Sequence, residues 1–136
     1  MRMAAMLCLA AVAAAGLAAQ PGSRPAQAAF ERGVRFEQEG RFEEALAAFE
    51  EALRQNPKSA AALRRRAGVL LRLERLDEAE KGISKVLGWN RSDVEALRLL
   101  GELRWKRRDA RGALESYEQC LKLGHETSAV QRGRGE

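Results

Sequence analysis

The sequence contains few of the side chains that build catalytic, metal or disulfide-bonded sites. Its 136 residues include two cysteines, Cys8 and Cys120, and a single histidine, His125. Two cysteines exclude a scaffold held by several disulfides, and one histidine with two distant cysteines gives no metal-ligand spacing. The sequence also has no Ser/His/Asp set and no phosphate-binding glycine loop. We therefore expect a chain that is not an enzyme, with no catalytic residues, no metal site and no cofactor.

Aromatic residues are also scarce, at 5% of the chain, and β-branched residues are few. Alanine, leucine, glutamate and arginine dominate instead, and all four adopt helices readily. Hydrophobic residues at 46% and charged residues at 32% are typical of a folded domain rather than a disordered chain. This composition predicts one small all-α domain.

The excess of positive charge is modest. The chain has 24 basic and 19 acidic residues, and its net charge is +5. Short basic runs occur at residues 64–66 and 106–108, but few aromatic side chains interleave with them. Because such an excess does not call for a polyanionic ligand, we expect no nucleic-acid partner.

The segment from Met1 to Ala28 has the order of a secretory signal peptide. One positive charge at Arg2 precedes an apolar run over residues 4–19 and a more polar stretch over residues 20–27. Small residues suit signal peptidase, so cleavage is expected after Ala28 or, alternatively, after Ala18. The mature chain would then be exported, either periplasmic or secreted. It would have lost Cys8 and could form no internal disulfide.

Two other interpretations of this segment stay open. The first is an alanine-rich helix packed on the domain, and the second is an uncleaved membrane anchor. The apolar run is shorter than the ~20 residues that a relaxed bilayer crossing needs. We therefore expect no stable transmembrane span once the signal peptide is removed.

Comparison of the chain with itself reveals a fixed period. Alanine recurs at equal intervals at Ala45, Ala79 and Ala113, and a large side chain follows four positions later each time. The full set of predicted repeat-packing residues is Ala45, Phe49, Ala52, Ala79, Ile83, Val86, Ala113, Tyr117 and Cys120. Positions i, i+4 and i+7 lie on one side of a helix. The small residues would admit a neighbouring helix, and the large residue would fill the remaining gap.

The second cysteine belongs to this pattern. Cys120 stands at the place that Ala52 and Val86 occupy in the earlier repeats. We therefore expect it to be a small buried hydrophobe in a helix contact. A redox role is the alternative, but the pattern places no histidine or basic partner beside the thiol.

Another amphipathic stretch precedes each repeating helix and is joined to it by a short turn. These preceding helices are predicted at residues 29–39, 60–73 and 94–107. Turns are predicted at Gly40, Glu74-Arg75 and Arg108-Asp109, helix ends at Asn56-Pro57, Gly88 and Gly124, and helix N-caps at Ser59 and Ser92-Asp93. The chain is thus predicted to form three helical hairpins.

These hairpins resemble the tetratricopeptide repeat family over about residues 26–127. The first unit, residues 26–59, carries the family's preferred residue types at Gly33, Phe36, Gly40, Phe42, Ala45, Phe49, Ala52 and Pro57. Units two and three cover residues 60–93 and 94–127, and residues 128–136 are expected to be a disordered tail. The pattern departs from the family at Arg32, Arg66 and Arg104. The resemblance implies an all-α, right-handed α-solenoid of three antiparallel helix pairs.

The resemblance also implies a function. Members of this family bind peptides or protein surfaces in a concave groove lined by the first helix of each pair. A non-catalytic interaction module or scaffold is therefore expected. The predicted groove residues are Arg64, Leu71, Arg72, Arg98, Trp105 and Lys106. Arg64 with Arg98, and Arg72 with Lys106, would form two basic rows beside an apolar row of Leu71 and Trp105. Such a surface would suit an acidic protein or peptide with an apolar anchor. The alternative is a solvated, charged face.

One binding mode of the family is not expected. Its chaperone-binding members clamp a C-terminal carboxylate with lysine and asparagine side chains. The matching positions in this sequence hold Phe30, Val34, Arg65, Glu95 and Leu99. Because none of them is lysine or asparagine, the sequence does not predict that activity.

A structural role is the second functional hypothesis. Solenoids usually end in a helix with a polar outer face that covers the last repeat, and residues 126–136 show no apolar periodicity. Leu114, Tyr117 and Leu121 are therefore expected to form an uncovered patch. Such a patch predicts a homo-oligomer or assembly into an envelope complex.

Overall fold

The computed structural model describes residues 24–134, with side chains described as far as Gly124. All regular structure in this range is helical. The helices are α1 (Arg24–Gln38), α2 (Phe42–Gln55), α3 (Ala60–Arg72), α4 (Leu76–Trp89), α5 (Val94–Lys106) and α6 (Ala110–Arg134). Helices α1 and α2 pack together, as do α5 and α6. The predicted all-α fold of helix pairs is confirmed.

The helices belong to two compact units, which are described separately. The boundary follows Ala62, in the first turn of α3. Helices α1 and α2 form the first unit, and the second unit contains most of α3 together with α4, α5 and α6. The predicted helix caps are confirmed, because Ser59 Oγ accepts from the Ala62 N–H at 3.2 Å and Asp93 Oδ1 accepts from the Ala96 N–H at 2.9 Å.

Helix α1 begins earlier than predicted. It starts at Arg24, ahead of the expected domain start at residue 29. Pro25 fits this position, because a helix makes no use of the backbone N–H groups in its first turn. Ala26 is already buried. The rest of the predicted signal peptide, residues 1–23 with Cys8, lies outside the described residues.

Helix α6 continues to Arg134, which corrects two predictions about the C-terminal region. Gly124 does not end the helix, and residues 128–134 are helical rather than a disordered tail. Glycine weakens a helix by about 1 kcal/mol relative to alanine but leaves its backbone hydrogen bonds possible. No proline follows Gly124 to enforce an end.

The three turns within the helix pairs share one backbone geometry. Gly40, Glu74 and Arg108, which occupy the same place in successive repeats, have φ angles of 75°, 58° and 63°. The N–H of each donates to the carbonyl three positions earlier at 2.9–3.2 Å, and the next N–H donates to the carbonyl five positions earlier at 2.8–2.9 Å. These bonds define a Schellman motif, in which a left-handed residue ends the helix. The predicted turns are confirmed.

Substitutions at these turns should change stability in opposite directions. A side chain in the left-handed region costs about 1–2 kcal/mol, a cost that glycine avoids. We therefore expect Gly40→Ala to lower the free energy of unfolding by about 1 kcal/mol, and Arg108→Gly to raise it by up to about 1 kcal/mol. Urea denaturation measures both changes. A neutral Gly40→Ala would contradict the assignment, and Gly88→Ala, inside α4 with open space around it, is the matched control.

Phe49 fills the core of the first unit. It is fully buried, and three of its ring atoms lie 2.6–2.9 Å from the position of a Cβ added to Gly33. Ala29, Ala52 and Ala62 pack together as a cluster in the same unit. Helix α1 and the ring on α2 thus approach too closely for any side chain at Gly33.

The second unit contains two variants of this residue pair. In α3 and α4, Ala67 and the smaller Ile83 stand one period after Gly33 and Phe49, and both are buried. In α5 and α6 the glycine returns, since ring atoms of Tyr117 lie 2.7–2.9 Å from a Cβ added to Gly101. An aromatic ring on the second helix of a pair therefore occurs with glycine on the first helix, and a smaller aliphatic side chain occurs with alanine.

The repeat-packing residues divide by position in the chain. Seven are buried: Ala45, Phe49, Ala52, Ala79, Ile83, Val86 and Ala113. Tyr117 is 37% exposed, and Cys120 is only half-buried. The expectation that Cys120 is buried is therefore corrected. Both residues contact α5 but lie at the margin of that contact, where solvent reaches them.

Candidate partner-binding face

Helix α5 has three distinct sides, and the first packs against α6. Tyr117 lies over Gly101, and Arg104 Nη1 donates to Ser116 Oγ at 2.9 Å and to the Gly112 carbonyl at 3.1 Å. Ser116 is buried. Arg104 departs from the family's residue type at this place, yet its guanidinium joins the two helices and satisfies a buried hydroxyl.

The second side of α5 packs against α3. At one end, Arg64 Nη1 of α3 donates to Asp93 Oδ2, the N-cap of α5, at 2.5 Å. In the middle, a Cβ added to Gly68 would lie 3.8 Å from Leu99 Cδ2. These contacts place α5 beside α3 and parallel to it. Leu99 belongs to a stripe of buried residues at helical spacing on α5, together with Ala96 and Leu103.

Ion pairs hold the other end of α5 in the same register. Lys106 Nζ lies 2.6 Å from Glu74 Oε1, in the turn that follows α3. Arg107 extends to α4, where it lies 2.7 Å from Asp77 and 2.8 Å from Glu80. Helix α5 therefore lies over both helices of the preceding pair.

The third side of α5 is open to solvent. Arg98 donates to Glu95 Oε1 at 2.6 Å and to Glu102 Oε2 at 3.4 Å. The bond between Arg98 and Glu95 raises the pKa of the guanidinium and lowers the pKa of the carboxyl. Trp105 is 65% exposed. It lines an open cavity of ≈ 680 Å³ together with Glu102 and Ala110.

Helix α6 adds an apolar stripe next to this side. Leu114 and Leu121 are 58% and 63% exposed, and they flank Tyr117 at helical spacing. Beside them Cys120 Sγ donates to the Val94 carbonyl at 3.4 Å. Burial raises the pKa of the Cys120 thiol, so the thiol stays protonated and weakly reactive. We call the surface formed by Arg98, Trp105, Leu114, Tyr117 and Leu121 the last-pair face.

The structure separates the six predicted groove residues. Arg98 and Trp105 lie on the open side of α5, whereas Leu71 is fully buried. The predicted apolar row of Leu71 and Trp105 is therefore wrong. The two residues occupy equivalent places in successive pairs, but α5 lies over the pair that contains Leu71.

The predicted basic rows are corrected as well. Arg64 and Lys106 are held by the carboxylates named above, and Arg98 pairs with two glutamates of its own helix. Arg72 is exposed. Because carboxylates accompany Arg64, Arg98 and Lys106, the rows carry little excess positive charge, and they give no reason to favour an acidic partner.

Sequence reasoning missed the last-pair face as one surface, because it assigned Trp105 to a groove and the residues of α6 to a separate patch. The available signal was the repeat itself. Residues that belong to the core in the middle pair, such as Leu71 and Ile83, recur as Trp105 and Tyr117 in a pair with no predicted successor.

The described residues offer little for other chemistry. Residues 24–124 contain no group of histidine, cysteine, aspartate or glutamate side chains arranged to hold a metal ion. Among the described helices, none combines the length and apolar character that crossing a membrane requires.

The chain is similar to known proteins in its sequence pattern and in its fold. A family model described as tetratricopeptide repeat matches residues 37–103. No curated protein matches the chain. Among solved structures, the Arabidopsis OM64 TPR domain is similar, with a TM-score of 0.71 and 21% identity, and the match covers 81% of this chain and 93% of that one.

Two further similar structures are complexes with HSP90 or Hsp70 ligands. The first TPR of Spaghetti (RPAP3) bound to HSP90 peptide SRMEEVD has a TM-score of 0.70 and 20% identity over 88% of this chain and 99% of that one. The TPR2B domain of yeast Sti1 in a pHsp70 complex has a TM-score of 0.72 and 20% identity over 83% and 90%. At these identities the likeness concerns the fold.

Proposed function

Because the chain belongs to the tetratricopeptide repeat family, we propose that it is a non-catalytic protein-interaction module that binds a protein segment through the last-pair face. One observation carries this proposal. Trp105, Leu114 and Leu121 are each more than half exposed on adjacent helices. Large apolar side chains grouped at the surface mark interaction sites, and tryptophan is enriched among the residues that dominate binding energy.

The chaperone-peptide ligands of the two similar structures are not part of this proposal. The positions that match the family's carboxylate clamp lack lysine and asparagine. One of these positions, Leu99, is buried against α3. The chain therefore has no described counterpart of that clamp, and its partner is expected to be held chiefly by apolar contacts.

The two tryptophans of the chain provide a matched test. Trp105 lies on the last-pair face, and Trp89 is a comparably exposed tryptophan on α4, outside that face. We expect Trp105→Ala to weaken partner binding by about tenfold or more, and Trp89→Ala to leave it unchanged. The measurement is crosslinking capture from the native host, followed by titration of the captured partner. Equal binding by both variants and the native chain would disprove the proposed site.

We also propose that the chain is exported through its first residues and acts in the periplasm or outside the cell. Support comes from the order of charged, apolar and polar stretches before residue 28. Cleavage after Ala18 leaves α1 complete, whereas cleavage after Ala28 removes its first turn and leaves a charged amine on fully buried Ala29. Mass spectrometry of the exported chain is expected to find an N-terminus at Ala19; a cytoplasmic, uncleaved chain would contradict the proposal.

A second candidate function is a structural one, assembly of copies of this chain through the same surface. The exposure of Leu114 and Leu121 supports it, because such side chains are covered in a stable assembly. Light scattering on the exported chain tests it. A dimer that Leu121→Asp dissociates is expected under this role, and a monomer at all concentrations would disprove it.

A further inference from the structure

The last-pair face repeats, one period later, a surface that the chain itself covers with a helix. In the middle pair, Leu71 and Ile83 are buried at 0% and 1% exposure. Their equivalents in the next repeat, Trp105 and Tyr117, are 65% and 37% exposed. The middle pair has α5 lying over it, and no described helix occupies the corresponding position on the last pair. The exposed surface therefore has the form of a site for one more helix.

The side of α5 that contacts α3 defines what such a helix must present. Ala96, Leu99 and Leu103 form one buried stripe at helical spacing. Leu99 lies close to Gly68, as described above. On the last pair, the residue equivalent to Gly68 is Glu102, which is partly buried beside Trp105, so the leucine that corresponds to Leu99 would pack on the aliphatic part of the Glu102 side chain.

The N-terminal end of the incoming helix is specified by an ion pair. Asp93 caps α5 and accepts from Arg64 of α3. The residue equivalent to Arg64 on the last pair is Arg98, so the positive charge recurs in the next repeat. Arg98 is half exposed and, among the described residues, pairs with glutamates of its own helix. An aspartate N-cap on the incoming helix would therefore reach a guanidinium, as Asp93 does, but it would share that guanidinium with Glu95 and Glu102.

The charges at the C-terminal end of the site are opposite to those at the equivalent place on the middle pair. On the middle pair, Glu74 and Asp77 accept Lys106 and Arg107 of α5. The equivalents of Glu74 and Asp77 on the last pair are Arg108 and Arg111, both exposed. A helix like α5 would bring cations against cations there, so the incoming helix requires acidic residues in its last turn.

We propose that the last-pair face binds one amphipathic helix of a partner protein, parallel to α5 and placed as α5 is placed on the preceding pair. The partner helix begins with an aspartate N-cap, carries alanine, leucine and leucine at the spacing of Ala96, Leu99 and Leu103, and ends in an acidic turn. This inference rests on the proposed function and specifies the form and charge of the partner.

A second copy of this chain fits the site poorly. Its first helix, α1, offers Ala28, Glu31 and Arg35 at the places where α5 presents its buried alanine and two leucines. All three are exposed in the structure. Packing Glu31 and Arg35 against the apolar stripe of α6 would bury charges among apolar side chains, which is costly. The chemistry therefore favours a different protein over a head-to-tail stack of copies.

The test uses α5 itself as the probe. The peptide is residues 92–108 with Lys106→Glu and Arg107→Glu, hydrocarbon-stapled at Glu95 and Glu102 on the side that faces solvent, which reduces the cost of ordering the helix. We expect saturable binding to the exported chain by fluorescence anisotropy. Leu121→Asp in the chain, or Leu99→Asp in the peptide, should weaken binding at least about tenfold.

A charge exchange separates specific docking from loss of folding. The native chain should prefer the acidic peptide over the same stapled peptide with native Lys106 and Arg107. A chain carrying Arg108→Glu and Arg111→Glu should show the reverse preference, which a misfolded variant could not produce. Absence of saturable binding, or an unchanged preference in the exchanged chain, would overturn the inference. A chain dimer that Leu121→Asp dissociates and the peptide cannot displace would overturn it in favour of a second copy.

The outcome is independent of the test of the proposed function. If Trp105→Ala loses its natural partner while neither peptide binds, the interaction role stands and the helical form of the partner is refuted. If Trp105→Ala captures its partner as the native chain does, the proposed function itself is refuted.

Discussion

Gly33→Ala is expected to lower the free energy of unfolding by about 2 kcal/mol or more, although alanine is the better helix former. The added Cβ would stand 2.6 Å from a ring atom of Phe49, which is fully buried in α2. Real Cβ atoms do not approach so closely, so the ring or the two backbones must move. A buried ring has little space in which to move, because protein interiors are close-packed.

A compensating substitution tests the reason for this loss. The middle helix pair already combines alanine with a smaller side chain, Ala67 with Ile83. We therefore expect Phe49→Ile to rescue Gly33→Ala, so that the double variant is more stable than the sum of the single changes predicts. Urea denaturation followed by circular dichroism measures all three variants. Additive effects would show that the two residues do not interact.

Gly82→Ala is the matched control. A Cβ there would lie 3.7 Å from the Leu63 carbonyl oxygen and 3.9 Å from Ala67 Cβ, which is ordinary contact. Removal of a glycine from a helix interior should then raise stability by up to about 1 kcal/mol. Destabilisation by Gly82→Ala as large as that by Gly33→Ala would refute the steric explanation.

The second large effect is expected at Leu71. Leu71→Ala should lower the free energy of unfolding by about 2–5 kcal/mol, because the side chain is fully buried and its removal leaves a cavity. Trp105→Ala, at the equivalent place one repeat later, should change stability by no more than about 0.5 kcal/mol. Thermal or urea denaturation of the two variants gives the comparison.

This pair of variants separates folding from binding. Leu71 stabilises the second unit, whereas Trp105 is 65% exposed and is expected to contact a partner. A loss of more than about 1 kcal/mol in Trp105→Ala would show that the ring is packed within the chain. Trp105→Ala would then be unsuitable as a test of binding. A neutral Leu71→Ala would contradict the correction made to the predicted groove.

The same residue position has acquired two roles in this chain because its neighbours differ. In the middle pair, α5 lies over α3 and α4 and buries Leu71 and Ile83. In the last pair, the corresponding Trp105 and Tyr117 remain partly or largely exposed. The aromatic rings of the last pair therefore belong to an exposed apolar surface, whereas the aliphatic residues at the same places in the middle pair belong to the core. The difference arises because no described helix lies over the last pair.

Much of the fold could be derived from the sequence, because the relevant interactions are local or periodic. The equal spacing of Ala45, Ala79 and Ala113 located the second helix of each pair, and Ser59 and Asp93 marked where α3 and α5 begin. Helix caps, short turns and the side of a helix that is apolar depend on residues a few positions apart. Such features can be read without knowing which helix lies next to which.

Side-chain exposure could not be derived in this way, since it depends on what lies over each helix. The repeat period identified Leu71 and Trp105 as equivalent, but only the packed helices show that Leu71 belongs to the core and Trp105 to the surface. The contacts between Arg64 and Asp93 and between Lys106 and Glu74 join residues far apart in the sequence, so no local pattern revealed them. Periodicity determined the helical hairpins and their order, whereas the tertiary structure decided which of their faces remain available to a partner.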